Sequence, residues 1–366
     1  MEFSAPHNVV VVVDGPDPDN FAAILAATSA HFGMNVVAVI MTGRPVSAER
    51  GVSSFAFNPY ATSAVTRDNA LHAKGILVRH DRETIPVFMG NRAPYTTVPH
   101  YMHIHERVTD IYDDAHAGHQ LAGGIDDAVI MLSKIPGTLH FVCGGPLTDV
   151  AYFMRQPLLH GKFGILTAQL GMFGTNGVNV LAGGRRQFNA TCDAGAAHSV
   201  LFDYPGPVYM VPTDITKLPA FAFNSADELR ALATTSTFEE IADMYEAAWP
   251  HMWGPRNMPA HVHDFHPAEL MSLLLKAQAG ERTHHLSFVP RDHVGRYAIA
   301  HTGIEAVPYL PADIGRWGEI DLCEPVLNAA PSRFWADGIV TTDHHQILAA
   351  ALNSPAFVPE KARAQR

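Results

Sequence analysis

The stretch Val9–Ala27 reads VVVVVDGPDPDNFAAILAA, and it decides the fold class. A run of five valines is typical of a strand in a parallel sheet that is covered on both faces. The apolar residues from Phe21 onward predict a helix that follows this strand. The turn between them carries the polar side chains of Asp14, Asp17, Asp19 and Asn20. The stretch therefore predicts an α/β protein with polar groups gathered where the first strand ends.

Three carboxylates in this turn lie where open α/β sheets bind ligands, beyond the carboxyl ends of the strands. Carboxylates this close repel one another unless a positive charge joins them, so a hard divalent cation is the natural ligand. A plainer alternative stays open, in which Asp19 only caps the helix and the other carboxylates are solvated turn residues.

The composition predicts one domain over residues 1–366, because 47% of the 366 residues are apolar and can build a large core. The net charge is -11 and no basic stripe occurs, which argues against nucleic acid as a partner. No apolar run approaches the length of a membrane span, and the N-terminus lacks the basic region of a signal peptide. Three isolated cysteines without CxxC spacing fit free thiols of a reducing compartment, so we predict a cytoplasmic protein.

Strand and helix patterns alternate through the first two thirds of the chain and predict a mostly parallel, doubly wound sheet flanked by helices. From about Ser225 the pattern becomes helical, and we expect residues 225–285 to form a helical segment over the active site. The C-terminal part adds short strands at Leu286–Val289 and Gly295–Ala300 and a helix near His344–Leu352. Residues 355–366 are predicted to form a flexible tail.

Further polar groups follow the later strands of the predicted sheet. The Gly144-Gly145 turn leaves a strand-end carbonyl open to a ligand, and Gln187 and Asn189 follow a glycine-rich loop. The segment HVHDFH places His263 and Asp264 at the start of a helix, where Asp264 could equally act as the N-cap. No HExxH zinc motif is present.

In this order the motifs resemble those of the nucleoside hydrolases that prefer ribonucleosides such as inosine and uridine. The N-terminal DxDPGxDD turn of that family is similar to DGPDPDNFAA, at residues 14–23. Its GPLTN, EFN, ADPEAA and MxGLDxT motifs resemble GPLTD at 145–149, QFN at 187–189, CDAGAA at 192–197 and MVPTDIT at 210–216. Its late His-Asp pair resembles His263-Asp264. The resemblance runs from residue 8 to about residue 280 and rests on motif order, since each motif alone is weak.

The resemblance implies a nucleoside hydrolase-like fold and calcium-dependent hydrolysis of the N-glycosidic bond of a ribonucleoside or related riboside. It implies a Ca2+ ion held by Asp14, Asp19, Asn20, Asp264 and the carbonyl of Gly144, with ribose hydroxyls completing the shell. The catalytic residues implied are Asp14, which would activate the attacking water, and His263, which would protonate the leaving base. Asp17 stays open as an alternative to Asp14. The sugar would be bound by Asp19, Gln187 and Asn189.

Two positions depart from the family pattern and remove two negative charges from the site. Asn20 stands where the family has the second aspartate of its turn, and Gln187 stands where it has the glutamate of EFN. The lower charge fits a substrate that carries its own negative charge, or a protein that has lost hydrolysis.

Two further candidates for substrate binding are His116, in the long polar segment between Asn91 and Gly123, and Trp249. His116 could equally be an exposed loop histidine, and Trp249 could be a core aromatic rather than a platform for the base. We expect a homo-oligomer, either a dimer or a tetramer, because that is common in the family.

A non-catalytic binding or regulatory protein with a weakened metal site is the alternative function. We favour the enzyme because the sequence retains all five of the matching site residues, namely Asp14, Asp19, Asn189, His263 and Asp264. A protein that had lost its activity would be expected to have lost some of them. A different α/β hydrolase or phosphatase ranks lower, since the chain has neither a GxSxG elbow nor a P-loop.

Overall fold

The fold centres on a twisted sheet whose first strand is the valine run. The computed structural model describes residues 7–43, 59–90, 118–171, 187–254, 258–279, 295–300, 303–307, 333–339 and 344–359. Over these ranges the strands are β1 (Asn8–Val13), β2 (Asn35–Met41), β3 (Val87–Met89), β4 (Gly123–Gly124), β5 (Leu139–Cys143), β6 (Phe163–Gln169), β7 (Val208–Val211), β8 (Ala222–Phe223), β9 (Ala260–His261), β10 (Gly295–Ala300), β11 (Gly303–Val307) and β12 (Arg333–Ile339).

The main sheet of the described residues has ten strands in the order β11-β10-β12-β7-β6-β5-β1-β2-β3-β4. Its strands pair in parallel except for β10 and β11 at one edge, which are antiparallel. The predicted mostly parallel sheet is thus confirmed. The chain builds outward from β1 through β2, β3 and β4, and then returns to add β5 on the other side of β1. This reversal opens a crevice beyond the carboxyl ends of β1 and β5, the place where sheets of this kind bind ligands.

Helices cover both faces of the sheet. They are α1 (Pro18–Ala27), α2 (Pro59–Arg79), α3 (Ile125–Lys134), α4 (Thr148–Met154), α5 (Phe188–Cys192), α6 (Ala194–Asp203), α7 (Thr213–Thr216), α8 (Ala226–Arg230), α9 (Ser236–Met252), α10 (Phe265–Gln278) and α11 (His344–Leu352). In β1, Val9, Val11 and Val13 pack in one apolar layer with residues of α1, α2, α9, α10 and α11. Val10 and Val12 pack in the opposite layer with residues of α3, α4 and α6. The uninterrupted valine run is explained by this burial on both sides.

The C-terminal part combines helices with strands. The predicted strand Gly295–Ala300 and the helix His344–Leu352 are both confirmed, whereas the predicted strand Leu286–Val289 lies outside the described residues. At the start of the predicted tail, the Phe357 N–H donates to the Thr28 carbonyl at 2.8 Å, and the Pro355 carbonyl accepts from the Ala30 N–H at 2.8 Å. Residues 355–357 are therefore fastened to the end of α1. No helix in the described ranges has the length and apolarity that crossing a bilayer requires.

Candidate active site

The acidic turn after β1 is built around the buried Asp14. The Asp14 N–H donates to the side-chain oxygen of Asn20 at 3.1 Å, and the Asp14 carbonyl accepts from the Asn69 amide at 3.0 Å. Helix α1 begins at Pro18 rather than near Phe21 as predicted, because proline is favoured in the first helical turn. Asp17 therefore occupies the N-cap position, and the alternative role of Asp19 as the cap is wrong.

The turn after β5 consists of Gly144 and Gly145 and contacts both Asp14 and Asp264. A Cβ added to Gly145 would lie 3.1 Å from the Asp14 Cβ, and one added to Gly144 would lie 2.6 Å from both Cβ and Cγ of Asp264. Side chains larger than hydrogen would therefore push into the two aspartates. The Gly144-Gly145 turn thus lies between Asp14 and Asp264 and lets both carboxylates approach the switch point of the sheet.

Asp264 stands at the N-cap position of α10 but makes no side-chain capping hydrogen bond, so the capping alternative is not what its carboxylate does. Its side chain packs against Gly144 instead. Its backbone N–H donates to the Asp19 carboxylate. Asp264 thereby ties the start of α10 to the first turn of α1.

Negative charge is concentrated at this point. Burial, together with the neighbouring carboxylates of Asp17 and Asp14, raises the pKa of Asp19 well above its usual value. Asp14 and Asp264 are themselves only 4% and 5% exposed. A cation would relieve this repulsion, and the oxygen donors gathered here are those that Ca2+ prefers. The donor set and the cradle formed by Gly144 therefore fit the predicted ion.

A cluster of buried amides adjoins the glycine turn. The Asn189 amide nitrogen lies 3.1 Å from the Gly144 carbonyl oxygen and 2.8 Å from the side-chain oxygen of Gln169. The Gln187 amide also donates to that Gln169 oxygen at 2.8 Å, while its own oxygen caps α5 by accepting from the Ala190 N–H. Gln169 is thus the residue on which the two predicted sugar-binding amides converge.

His263 lies directly before Asp264, and one of its two ring nitrogens is held by a hydrogen bond. Its Nδ1 lies 2.6 Å from the Thr216 hydroxyl, and the ring stacks on His261 with centroids 5.4 Å apart. Burial and the neighbouring His261 lower the pKa of His263 well below its usual value. The Thr216 contact and the stacking on His261 together hold the ring in one orientation.

A comparison with known protein families agrees with this geometry. The model of the family described as inosine-uridine preferring nucleoside hydrolase matches residues 11–272, which is more than half of the chain. The chain belongs to this family. Its enzymes hydrolyse the N-glycosidic bond of nucleosides, so the chain is a nucleoside N-ribohydrolase. No curated protein sequence matches the chain.

Solved structures show the same fold at low sequence identity. A plant nucleoside hydrolase is 16% identical, with a TM-score of 0.61, and the match covers 96% of this chain and 100% of that chain. The inosine-uridine preferring nucleoside hydrolase of Bacillus anthracis is 13% identical, with a TM-score of 0.59 and coverage of 95% and 99%. A type III effector protein, solved in complex with adenosine diphosphate ribose, is 13% identical, with a TM-score of 0.55 and coverage of 96% and 95%.

The structure thus brings most of the predicted site residues of this nucleoside hydrolase to one crevice. Asp14 borders Gly145 and Asp264 borders Gly144. Asp19 joins them through the Asp264 N–H, and Asn189 joins them through the Gly144 carbonyl. Two predicted residues stand apart from this group. Trp249 packs against the apolar core with its ring 5.4 Å from that of Trp253, and His116 lies outside the described residues.

Sequence reasoning missed three polar residues that hold the site. Gln169 organises the amides, Asn69 holds the Asp14 carbonyl and Thr216 orients His263. Gln169 could have been found, because it is the last residue of β6 and so lies at the same sheet edge as the other groups. Asn69 comes from the middle of α2, where the sequence carries no comparable signal.

Proposed function

We propose that the protein catalyses calcium-dependent hydrolysis of the N-glycosidic bond of a ribonucleoside or a related riboside in this crevice. The observation that carries the proposal is the packing of Asp14 and Asp264 against the two sides of the Gly144-Gly145 turn, at the switch point of the sheet. This arrangement makes a buried site that is rich in oxygen donors, beyond the carboxyl ends of the strands, where sheets of this kind bind ligands.

The calcium ligands we assign are the carboxylates of Asp14, Asp19 and Asp264 and the carbonyl of Gly144. When bound, the ion would lower the pKa of an attacking water and neutralise the crowded carboxylates. Asn20 differs from these residues because its side-chain oxygen already accepts from the Asp14 N–H. We therefore assign Asn20 chiefly to holding the turn, with its second lone pair left for the ion.

Asp14 is the residue we assign as the general base, in preference to Asp17. Asp14 follows β1 directly, is buried and borders the glycine turn, whereas Asp17 is partly exposed at the start of α1. A carboxylate close to the sugar also stabilises positive charge that develops on the ring as the base departs. Asp14 can thus serve both the attack and the charge of the transition state.

The ribose is assigned to Asp19 and Asn189. Gln187 supports them at a distance, since its oxygen caps α5 and its nitrogen donates to Gln169. We therefore assign Gln187 to orienting Asn189 through Gln169, in place of the predicted direct contact with the sugar. Trp249 is retained as a candidate for contact with the base because its ring is only partly buried.

His263 is assigned to protonate the leaving base, and its lowered pKa would have to rise as negative charge develops on that base beside the ring. Its Nδ1 is engaged with the Thr216 hydroxyl, so we assign the transfer to Nε2. A ring fixed in this way loses little rotational freedom when the substrate binds, which favours proton transfer in a defined geometry.

Two observations favour a phosphorylated or otherwise anionic riboside as the substrate or ligand. Asn20 and Gln187 reduce the negative charge of the crevice relative to the family pattern, and a protein with the same fold was solved with adenosine diphosphate ribose.

The alternative function, a non-catalytic binding protein, would use the same crevice without turnover. A cytoplasmic location and a homo-oligomeric state remain predictions.

The test is the release of free base from a panel of nucleosides, nucleotides and adenosine diphosphate ribose, with calcium or with a chelator. We expect one class of riboside to be cleaved only with calcium, and Asp264→Asn to abolish cleavage and calcium binding. Asp243→Asn, at an exposed ion pair with Arg230, is the control and should remain active. Full activity of Asp264→Asn would refute the metal assignment, and calcium and riboside binding without any cleavage would favour the non-catalytic alternative.

A further inference from the structure

A second cluster of side chains that can ligate a metal lies between α10, the helix whose N-cap is Asp264, and α11. It consists of His266, Glu269 and His344, which are 0%, 3% and 3% exposed. One ligand atom from each residue lies within 4.8 Å of the other two. The cluster shares no residue with the candidate active site.

Two helices bring these residues together. His266 and Glu269 are three residues apart on α10 and so lie on one face of that helix. His344 is the first residue of α11. The ring of Phe221 packs against both imidazoles, with centroid distances of 4.3 Å to His266 and 4.5 Å to His344. The apolar ring screens the cluster from water.

The buried carboxylate lies between two imidazoles at distances that suit a shared ion. Glu269 Oε2 lies 3.4 Å from His266 Nδ1 and 3.8 Å from His344 Nδ1. The longer distance exceeds that of a normal hydrogen bond. Ligand atoms around a tetrahedral zinc ion are about 3.3 Å apart, because each bond is about 2.0–2.1 Å. Small side-chain movements would therefore reach zinc geometry.

The imidazole nitrogens also need a partner. Among the described residues, His266 Nε2 and both ring nitrogens of His344 find no hydrogen-bond partner. An imidazole nitrogen without a hydrogen-bond partner can offer its lone pair to a metal ion. A buried carboxylate such as Glu269 is costly to ionise unless a positive charge compensates it.

We propose that His266, Glu269 and His344 bind a zinc-like transition-metal ion that fastens α11 to α10. Two imidazoles and one carboxylate form a donor set typical of zinc, whereas the site at Asp14 offers only the oxygen donors that suit calcium. The ion would compensate the Glu269 charge. It would also hold α10 in place. Because Asp264 directly precedes α10, the ion would help to fix the position of that carboxylate in the candidate active site.

The experiment measures zinc in the purified full-length protein and the affinity for zinc after chelator treatment. We expect about one zinc ion per chain, and a zinc affinity at least about a hundredfold lower in Glu269→Gln and His344→Gln. His140→Gln, a buried histidine on β5 outside the cluster, and Asp14→Asn, in the proposed calcium site, should bind zinc like the wild type. Saturating zinc should raise the melting temperature of the wild type by about 3 °C.

X-ray absorption of the zinc-loaded wild type keeps the proposal testable if a cluster variant fails to fold. The expected shell contains two imidazoles and further oxygen or nitrogen ligands at about 2.0–2.1 Å, without sulfur. Absence of bound zinc would overturn the proposal, as would unchanged affinity in folded Glu269→Gln and His344→Gln. Loss of zinc in Asp14→Asn, or a shell without imidazole, would equally overturn it.

Discussion

Replacing Gly144 by alanine tests whether the approach of Asp264 to the β5 turn creates the site. The new Cβ would lie 2.6 Å from Cβ and Cγ of Asp264, whereas carbon atoms pack at about 3.5–4.0 Å. Asp264 must therefore move by about 1 Å. A displacement of this size at a reacting centre costs about a hundredfold in rate, and overpacking of a buried position costs about 1–3 kcal/mol of stability.

We expect Gly144→Ala to fold, to bind calcium much more weakly, and to lose about a hundredfold in kcat/KM on the riboside that the panel identifies. Calcium titration by calorimetry measures the first effect independently of any substrate. Gly124→Ala is the matched control, because nothing lies within 4 Å of its added Cβ and its φ of -93° suits alanine. Equal calcium affinity in the two variants would refute the assignment of the Gly144 carbonyl and Asp264 to one ion.

Three further predictions concern the charge of the site, its amides and a distant ion pair. Asn20→Asp should tighten calcium binding in calorimetry, and an unchanged affinity would remove residue 20 from the ion's surroundings. Gln169→Leu should lower riboside affinity more than calcium affinity, because it leaves the buried amide of Asn189 without its Gln169 side-chain acceptor, a loss of about 1–3 kcal/mol. Burial alone would raise the pKa of Glu240, but hydrogen bonds from His80 and Arg79 lower it to about 2, against 4.5 for the free group. Because the folded-state pKa is the lower one, this stabilisation, up to about 3 kcal/mol, is present above pH 4.5 and is lost as the pH falls toward 2. In denaturant unfolding the stability gap between wild type and Glu240→Gln should shrink from pH 6 to pH 3, and a constant gap would contradict this account.

The strands of the sheet could be read from the sequence because their signal is local. Residues 9–13 of β1 are apolar at every position since both faces of the strand are buried, and β7 shares this pattern. The start of α1 was predicted three residues too late, because Asp19 and Asn20 look like turn residues. They are helical and buried because their side chains bond within the acidic turn and to the segment at Asp264.

Contacts made across long stretches of chain could not be read in this way. Gln169 is 18 residues from Gln187 and 20 from Asn189, and no periodic pattern links the three. The cluster of Glu269 and His344 joins two helices that are distant in sequence, and its members read singly as ordinary buried polar residues. Family resemblance supplied the positions of Asp14, Asn189 and Asp264, but it could not supply the residues that hold them.

The role of Asn20 shows why the missing charge bears on function more than on folding. Its side-chain oxygen accepts a hydrogen bond from the Asp14 N–H, which an aspartate at the same position could also accept. The turn therefore does not require asparagine. What asparagine changes is the charge beside Asp14 and Asp19, where burial and neighbouring carboxylates already raise the pKa of Asp19. A neutral residue at position 20 reduces the repulsion between the carboxylates of Asp14 and Asp19 and their surroundings, and it weakens the attraction of the site for a cation. It also reduces the repulsion between the site and an anionic riboside. The last effect is the one that connects this substitution to substrate choice.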